Sequence, residues 1–238
     1  MPPRKGSSPS LALVPEDASY EQVALAARDC RACGLYARAT QTVFGEGAVP
    51  SPLMLVGEQP GDKEDLQGHP FVGPAGRILD EALERADIPR EQVYVTNAVK
   101  HFKWEPRGKR RMHAKPNMAE VHACHGWLEA EIALVQPAVL VCLGATAAAA
   151  IFGSGYKLME NRGHVTTDSP WAQRVIATYH PSALLRMMPD EDAYTQAMAF
   201  LVSDLELAAS FVSFRTERRR ERRPSESLLG RRASHRAG

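Results

Sequence analysis

The sequence predicts an α/β protein, a three-layer α/β/α sandwich around a central four-stranded, mostly parallel sheet. Short apolar runs alternate along the chain with longer segments of helical spacing, and strands that alternate with helices form parallel sheets covered on both faces. The apolar runs are continuous, as expected of strands that are buried on both sides. Polar residues follow several of these runs directly, which places them together at one edge of the sheet.

The first half of the chain contains two predicted strands and two predicted helices. Ser19 can cap a helix through EQVALAARDC, which would deliver Cys30 and Cys33 at its end. The segment PLMLVGEQPG predicts a buried strand that runs into a Gly-Pro turn. AGRILDEALERAD has its apolar side chains on one helical face, and residues 92–96, QVYVT, predict the second strand.

The second half begins with a polar, cationic stretch from Glu105 to Pro116. NMAEVHACHGWLEAEIALVQ then predicts a long helix that ends at Pro137. AVLVCLG and RVIATYHP predict the third and fourth strands, with a helix in ATAAAAIFG after the third. EDAYTQAMAFLVSDLELAASF predicts an amphipathic helix on the outside. The motifs GEQPG, TNAVKH and YHPS all stand at strand ends, which indicates one active-site crevice there.

Composition and charge suit one folded domain, which we expect to cover residues 17–213. Apolar residues make up 44% of the chain, and no run reaches the length of a membrane span. The first residues, MPPRKGSSPS, lack the apolar core of a secretion signal. We therefore expect a cytoplasmic protein with a short disordered lead-in at residues 1–16.

A basic tail at residues 214–238 is expected to be disordered because it has few apolar residues. It contains nine arginines against three glutamates, a net charge of +6, whereas the whole chain carries only +1. Such an arm raises affinity for any polyanion without reading its sequence. A solubilising extension is an equally good interpretation.

Four cysteines in a chain without a secretion signal argue against a disulfide framework. Cys30 and Cys33 form a CxxC motif, which suggests a metal or cluster site but is not specific by itself. Cys142 lies inside the apolar run VLVCLG and is interpreted as a core residue.

The combined motifs resemble the uracil-DNA glycosylase superfamily, specifically its iron–sulfur family 4. GEQPGDKEDLQGHPFVGPAGRILDEAL resembles the first motif and the base-stacking loop of that family. TNAVKH resembles the following strand end, and YHPSALLR resembles the second catalytic motif. The ordered combination, from about residue 30 to about residue 209, is specific, whereas HPS or CxxC alone would be weak. The resemblance implies a uracil-DNA glycosylase-like fold.

Two departures from the family pattern point to one branch of the family. His101 stands where family 4 enzymes usually carry a cysteine, and the interval from there to Cys124 is longer than usual. The extra length contains KRRMH, residues 109–113. A histidine at the cluster position together with this insert resembles the UdgX branch, whose members become covalently joined to the DNA sugar after excising uracil.

The resemblance implies a [4Fe–4S] cluster bound by Cys30, Cys33, His101 and Cys124, with a structural role. Thiolates suit iron and sulfide, and an imidazole can replace one of them. Three cysteines and one histidine would also suit zinc, which spacing alone would favour. His122 and His125 are alternatives to His101 as the fourth ligand.

The resemblance also assigns a base pocket. Phe71 would stack on a flipped uracil, and Asn97 would pair with its edge because an amide can both donate and accept. Gln59 would contribute to base binding through its backbone or side chain. His180 would stabilise the negative charge that develops on the uracil carbonyl when the glycosidic bond breaks. Read without the family, Phe71 would be a core aromatic, and Asn97 and His180 would be turn residues.

The KRRMH insert suggests a covalent step. His113 would attack the oxocarbenium-like sugar as a nitrogen nucleophile, and Glu58 would orient its imidazole. Lys109, Arg110 and Arg111 would contact phosphates and hold the loop closed. Taken alone, Glu58 could equally be a turn carboxylate, and GKRRMH a solvated basic loop.

The predicted partner is uracil-containing DNA, with single strands preferred, and we expect a monomer without a membrane or an obligate protein partner. Two rival functions remain open. One is a conventional glycosylase of multiple turnover in which His113 only contacts phosphate, and the other is a non-catalytic module that senses uracil or lesions. A metal-dependent nuclease or phosphatase is disfavoured because the sequence lacks the clustered carboxylates of a two-metal site.

Overall fold

A four-stranded parallel sheet forms the centre of the protein, seen in a computed structural model that describes residues 8–214. In chain order the elements are α1 (Tyr20–Ala27), β1 (Leu53–Gly57), α2 (Asp62–Gln67), α3 (Pro74–Arg85), β2 (Val93–Asn97), β3 (Trp104–Arg107), β4 (Arg110–His113), α4 (Met118–Val135), β5 (Val139–Leu143), α5 (Ala145–Phe152), α6 (Leu158–Asn161), β6 (Arg174–Thr178), α7 (Pro181–Met187) and α8 (Glu191–Ala209).

The strand order in the sheet is β2-β1-β5-β6, and every neighbouring pair is parallel. The predicted fold class is confirmed, and the sheet is parallel throughout. Gly57 at the end of β1 pairs in register with Asn97 at the end of β2. The carboxyl ends of the strands therefore meet at one edge, where ligands of open parallel sheets bind.

Both faces of the sheet are covered, as the continuous apolar runs predict. Alternate strand residues point to opposite faces, so Leu53 and Leu55 pack with α3, α7 and α8. Met54 and Val56 pack on the other side with α4 and α5. The strands β1, β2 and β5 are buried along their whole length, which gives the three layers.

Local sequence signals set the ends of the helices. Ser19 begins α1 with a capping box, in which its side chain accepts from the Gln22 backbone and Gln22 bonds back to Ser19. Asn117 caps α4 in the same way with Glu120. Helix α4 ends with Gln136 as its C-cap. Gln136 has a left-handed φ of 51°, and Pro137 follows it.

The described part of the predicted lead-in is packed, so the prediction of disorder is wrong for residues 8–14. A single turn of 3-10 helix at Leu11–Leu13 lies against α4. Ser8 and Ser10 are buried, and both hydroxyls accept from the backbone N–H of Gly126. Gly126 leaves room for the segment, because a side chain there would collide with the backbone of Leu11. The polar composition concealed this contact.

The cationic stretch between β2 and α4 folds into an antiparallel hairpin of β3 and β4 rather than an irregular loop. Trp104 pairs with His113, and Arg107 pairs with Arg110 across the turn, in which Gly108 has a φ of 61°. The short helices α2 and α7 were not predicted either. None of the helices in residues 8–214 is long and apolar enough to cross a membrane. The tail assigned to residues 214–238 lies outside the described residues except for Phe214.

Candidate active site

Side chains from two strand ends and one loop converge on Gly57, the last residue of β1. A Cβ added to this glycine would lie 2.4 Å from Asn97 Oδ1, 2.7 Å from Phe71 Cζ and 3.4 Å from His180 Nε2. Asn97 ends β2, His180 follows β6, and Phe71 comes from the loop between α2 and α3. An aromatic ring, an amide and an imidazole therefore surround one point at the carboxyl edge of the sheet.

The loop that carries Phe71 is held in an unusual conformation. Phe71 has a φ of 57°, which is rare for a residue with a side chain, and it is 8% exposed. The loop presses against α3 at Gly76, where a Cβ would lie 1.6 Å from the Phe71 carbonyl oxygen. The buried carboxylate of Glu64 accepts from the Gly73 backbone N–H at 2.8 Å. These contacts fix the ring over the pocket, 6.1 Å from the His180 ring.

His180 is held in one tautomer by the start of α7. Its Nδ1 accepts from the backbone N–H of Ser182 at 3.0 Å, as the N-cap of that helix. The proton of the neutral ring therefore lies on Nε2, the nitrogen nearest Gly57. Burial lowers the pKa of His180 to about 4, although Glu58 nearby favours the charged form. A neutral N–H donor thus faces the pocket.

Glu58 and His113 form the second part of the site. His113 Nε2 lies 3.2 Å from Glu58 Oε1, and the other carboxylate oxygen accepts from the Thr146 hydroxyl at the start of α5. Burial opposes ionisation of Glu58, but the hydrogen bonds from His113 and Thr146 outweigh it and lower the pKa of this carboxyl. The side chain of His113 is half exposed, so a ligand can reach its ring.

Arg111 anchors the hairpin that carries His113. Its guanidinium bonds to Asp62 Oδ1 and to Asp65 Oδ2, both at 2.6 Å, and lies over the rings of Phe102 and Trp104. Burial opposes the charge, but the hydrogen bonds that Arg111 donates to Asp65 and Asp62 outweigh it and raise the pKa of Arg111. The guanidinium is thus occupied by the body of the protein, which departs from the phosphate contact expected from the sequence.

The other two basic residues of the insert have different surroundings. Lys109 and Arg110 are exposed at the hairpin turn, where nothing in the structure prevents the predicted phosphate contacts. In a strand, successive side chains point to opposite faces. Arg110 and Met112 therefore share the outer face of β4, and Arg111 and His113 share the face toward α2 and Glu58.

The amide side chain of Gln59 links the hairpin to β1 rather than facing the pocket. Its Nε2 donates to the carbonyl oxygens of Lys103 and Ala114, both at 3.1 Å, and its Oε1 accepts from the Lys103 backbone. Of the two routes expected for base binding, only the backbone of Gln59 remains.

Three cysteines lie together between the segment that follows α1 and helix α4. Cys30, Cys33 and Cys124 share an apolar cluster with Trp127. The indole N–H of Trp127 donates to Cys30 Sγ and the Lys100 backbone N–H donates to Cys124 Sγ, both at 3.2 Å. Buried sulfurs that accept N–H hydrogen bonds are typical of iron–sulfur sites, so these donors suit a cluster.

His101 stands beside this group but is bonded elsewhere. It is 4% exposed, burial lowers its pKa, and its Nε2 lies 3.0 Å from the Thr42 hydroxyl. Within residues 8–214, no set of three or more His, Cys, Asp or Glu side chains has the geometry of a metal-ion site. Among the described residues, the three cysteines therefore share one apolar cluster without the geometry of a metal site, and His101 lies against Thr42.

His122 and His125, the alternatives to His101, and the core residue Cys142 have other surroundings. His122 is exposed on α4, and His125 packs edge-on against Trp171 with centroids 5.1 Å apart. Cys142 is fully buried in β5 among apolar side chains, and burial raises the pKa of its thiol.

Sequence reasoning missed several residues of the site. Thr146, Ser182 and Gly57 were not singled out, and neither were the two aspartates that bind Arg111. Thr146 follows strand β5 in CLGAT, so the rule that sites gather at strand ends could have found it. The aspartates carry no such signal, because their partner is more than forty residues away in the chain.

The fold and the site define a parallel α/β protein that can hold a planar, hydrogen-bonding ring at the carboxyl edge of its sheet. The chain belongs to the uracil-DNA glycosylase superfamily, whose family model matches residues 44–202. It is similar to the type-4 uracil-DNA glycosylase of Thermotoga maritima, with 38% identity over 78% of this chain and 90% of the relative. The type-4 enzymes of Archaeoglobus fulgidus and Pyrobaculum aerophilum are 36% and 35% identical, over 70% and 67% of this chain and 83% and 81% of theirs.

Proposed function

We propose that this protein is a uracil-DNA glycosylase that excises uracil and then captures the sugar covalently through His113. The single observation that carries the glycosylase activity is the convergence of Phe71, Asn97 and His180 on Gly57. The type-4 uracil-DNA glycosylases among its relatives support the same activity.

Base recognition follows from the chemistry of these groups. A glycosylase must take the nucleotide out of the stack and bind its edge. Phe71 offers a flat face for stacking, and the Asn97 amide can donate and accept at the uracil edge. Gly57 leaves room for the base in the pocket, because any side chain there would occupy the space beside Asn97 Oδ1. Thymine and cytosine would bind less well than uracil, because they differ from it in shape or leave groups of the Asn97 amide without a hydrogen-bond partner.

Cleavage of the C1′–N1 bond sends its electron pair to uracil and leaves an oxocarbenium-like sugar. His180 donates its Nε2–H to the uracil carbonyl oxygen on which negative charge develops. The ring needs no reorganisation, because the Ser182 N–H already fixes its tautomer and direction. Such a preorganised donor contributes roughly 3 kcal/mol to transition-state stabilisation.

Capture requires a neutral imidazole close to C1′. Glu58 accepts the N–H of one His113 nitrogen, which leaves the lone pair on the other nitrogen. That lone pair forms the new bond to C1′ as the sugar cation is consumed. The alkylated ring is then a cation with its remaining N–H directed at Glu58, whose carboxylate stabilises it.

We further propose that Cys30, Cys33, His101 and Cys124 hold a [4Fe–4S] cluster, as in the family that the sequence resembles. The buried sulfurs and their N–H donors support this assignment. When bound, the cluster would act structurally by joining the segment that follows α1 to the start of α4. Zinc remains the alternative metal for the same donors.

The test of capture is a denaturing gel after the protein is mixed with a labelled uracil-containing strand. We expect a band shifted by one protein mass, with single-stranded and duplex DNA compared, and no shift with thymine DNA. His113→Ala should lose the shifted band and still release uracil. A shifted band that survives in His113→Ala overturns capture by this residue. Release of several uracils per protein without any shift would identify a conventional turnover enzyme instead.

A further inference from the structure

A buried ion pair lies directly behind the end of strand β2. The side chains of Lys100 and Glu131 are both completely buried, and they join the turn after β2 to helix α4. Removing two charges from water is costly, and an apolar pair of similar volume is often at least as stable. A pair in this place therefore calls for a reason other than stability.

Lys100 uses all of its donors near the base pocket. Its ammonium donates to Thr96 Oγ1 at 2.6 Å, to the Asn97 carbonyl oxygen at 2.7 Å, and to Glu131. An ammonium group has three N–H donors, so it is saturated. Two of its three partners belong to Asn97 and to the residue before it.

Glu131 holds the other side of this network. Its carboxylate accepts from the backbone N–H of Gly45 at 2.9 Å, from the hydroxyl of Tyr94 at 3.0 Å and from the hydroxyl of Thr96. Within residues 8–214 no buried side-chain nitrogen or oxygen lacks a hydrogen-bond partner. A fully satisfied buried network is rigid and specifies one geometry.

The turn that follows Asn97 is fixed by backbone contacts as well. The N–H groups of Ala98 and Val99 donate to the carbonyl oxygens of Gly57 and Glu58, at 2.9 and 3.0 Å. These bonds place the turn against β1, but none of them acts on the carbonyl of Asn97. The ammonium of Lys100 holds that carbonyl from the side of helix α4.

We propose that Lys100 and Glu131 are positioning residues that hold Asn97 in the orientation needed to bind the uracil edge. The inference rests on the proposed function, in which the Asn97 amide reads the base. The pair does not touch the substrate. It fixes the peptide of Asn97, and through it the direction of the side chain, so that the amide is preorganised before DNA binds.

The test measures single-turnover uracil release against protein concentration, which gives a half-saturating concentration and a limiting rate whatever the turnover mode. Glu131→Gln keeps the shape but removes the negative charge and with it the ion pair, and we expect its half-saturating concentration to rise about tenfold with a smaller change in limiting rate. Thr96→Val removes one partner of Lys100 without changing the shape. We expect Thr96→Val to raise the half-saturating concentration about threefold. It replaces Glu131→Gln as the test if that variant does not fold.

Tyr94→Phe is the matched control, because it removes a hydrogen bond to Glu131 that involves neither Lys100 nor the Asn97 carbonyl. It should leave the half-saturating concentration unchanged. If Glu131→Gln and Thr96→Val only lower Tm and bind uracil-DNA like the parent protein, the pair is merely structural and the proposal is overturned.

Asn97→Ala separates this proposal from the proposed function. A large rise in its half-saturating concentration, together with smaller rises for the two network variants, supports both. A rise for Asn97→Ala alone supports base reading and overturns the positioning role. No rise for Asn97→Ala removes the role of Asn97 in base reading, and the positioning proposal fails with it.

Discussion

His180 combines a fixed tautomer with a pKa far below the usual range of histidine. Burial is the main cause of the low value, and the Ser182 N–H holds Nδ1 as an acceptor. Both effects favour a residue that must donate a hydrogen bond from an N–H group and remain neutral. His180 is thus suited to act as a fixed hydrogen-bond donor rather than as an acid that gains and loses a proton.

The limiting rate of uracil release should consequently be insensitive to mild acid. With a folded pKa of about 4, His180 stays neutral as the pH falls from 7 to about 5, whereas an ordinary histidine would become charged near 6.5. We expect a flat single-turnover rate over this range and a decline only as the pH approaches 4. A fall in rate centred near pH 6.5 that is absent in His180→Gln would contradict this prediction.

The same shift predicts how stability depends on pH. The unfolded chain binds a proton at His180 more readily than the folded chain, because the folded pKa is the lower one. The contribution of this residue to folding is therefore complete above pH 6.5 and is lost progressively between about pH 6.5 and about pH 4. Chemical denaturation of the parent and of His180→Gln across this window measures the difference.

At the scale of secondary-structure elements, the hairpin of β3 and β4 decides where His113 lies. Its two faces differ: Arg111 and His113 point toward the body, and Arg110 and Met112 point outward. Arg111 connects the hairpin to α2 through two carboxylates, one of which, Asp65, is completely buried. Hydrogen bonds to charged groups of this kind contribute about 2 kcal/mol each.

Arg111→Ala should therefore free the hairpin and impair capture more than excision. We expect adduct formation to slow by about tenfold or more, since a displacement of about 1 Å at a reacting group can cost a factor of about a hundred. Uracil release should change much less, because the base pocket lies on other elements. The two rates are compared on denaturing gels and by release of labelled uracil.

Arg110→Ala is the matched control, since it removes the same charge from the outer face of the same strand. Its adduct rate should fall only where the salt concentration is low, as expected of an exposed contact to phosphate. Equal losses in the two variants would mean that charge, and not anchoring, is what Arg111 contributes.

At the scale of the whole molecule, the cysteine cluster ties the N-terminal part of the chain to α4 and to the turn after β2. Cys30 follows α1, Cys124 lies in α4, and Lys100 bonds to Cys124 from the turn beside the pocket. Metal binding at such a group contributes directly to folding.

Cys124→Ser should remove the proposed cluster. The parent protein is expected to contain iron and inorganic sulfide in equal amounts, and the variant should lose both and unfold several degrees lower. Cys142→Ala, the matched control in β5, should keep its iron. Stoichiometric zinc without sulfide in the parent protein would contradict the iron–sulfur assignment.

Most of the fold could be predicted because it depends on local patterns. The four strands of the sheet and the helices α1, α3, α4, α5 and α8 lie where apolar runs, helical spacing and capping residues put them. The hairpin was missed because KRRMH has neither apolar alternation nor strong strand formers, although Gly108 between Arg107 and Lys109 is a turn signal. The packed segment at residues 8–14 was missed because its buried groups are serines.

The sequence by itself determined the order of strands and helices, the edge at which polar residues gather, and the residue types available there. It did so because hydrophobic periodicity and turn chemistry act over a few residues. Only the tertiary structure decided that Arg111 faces Asp62 and Asp65, that Gln59 links the hairpin to β1, and that Lys100 lies behind Asn97. Those contacts join side chains far apart in the chain, and their geometry follows from how the layers pack rather than from any local signal.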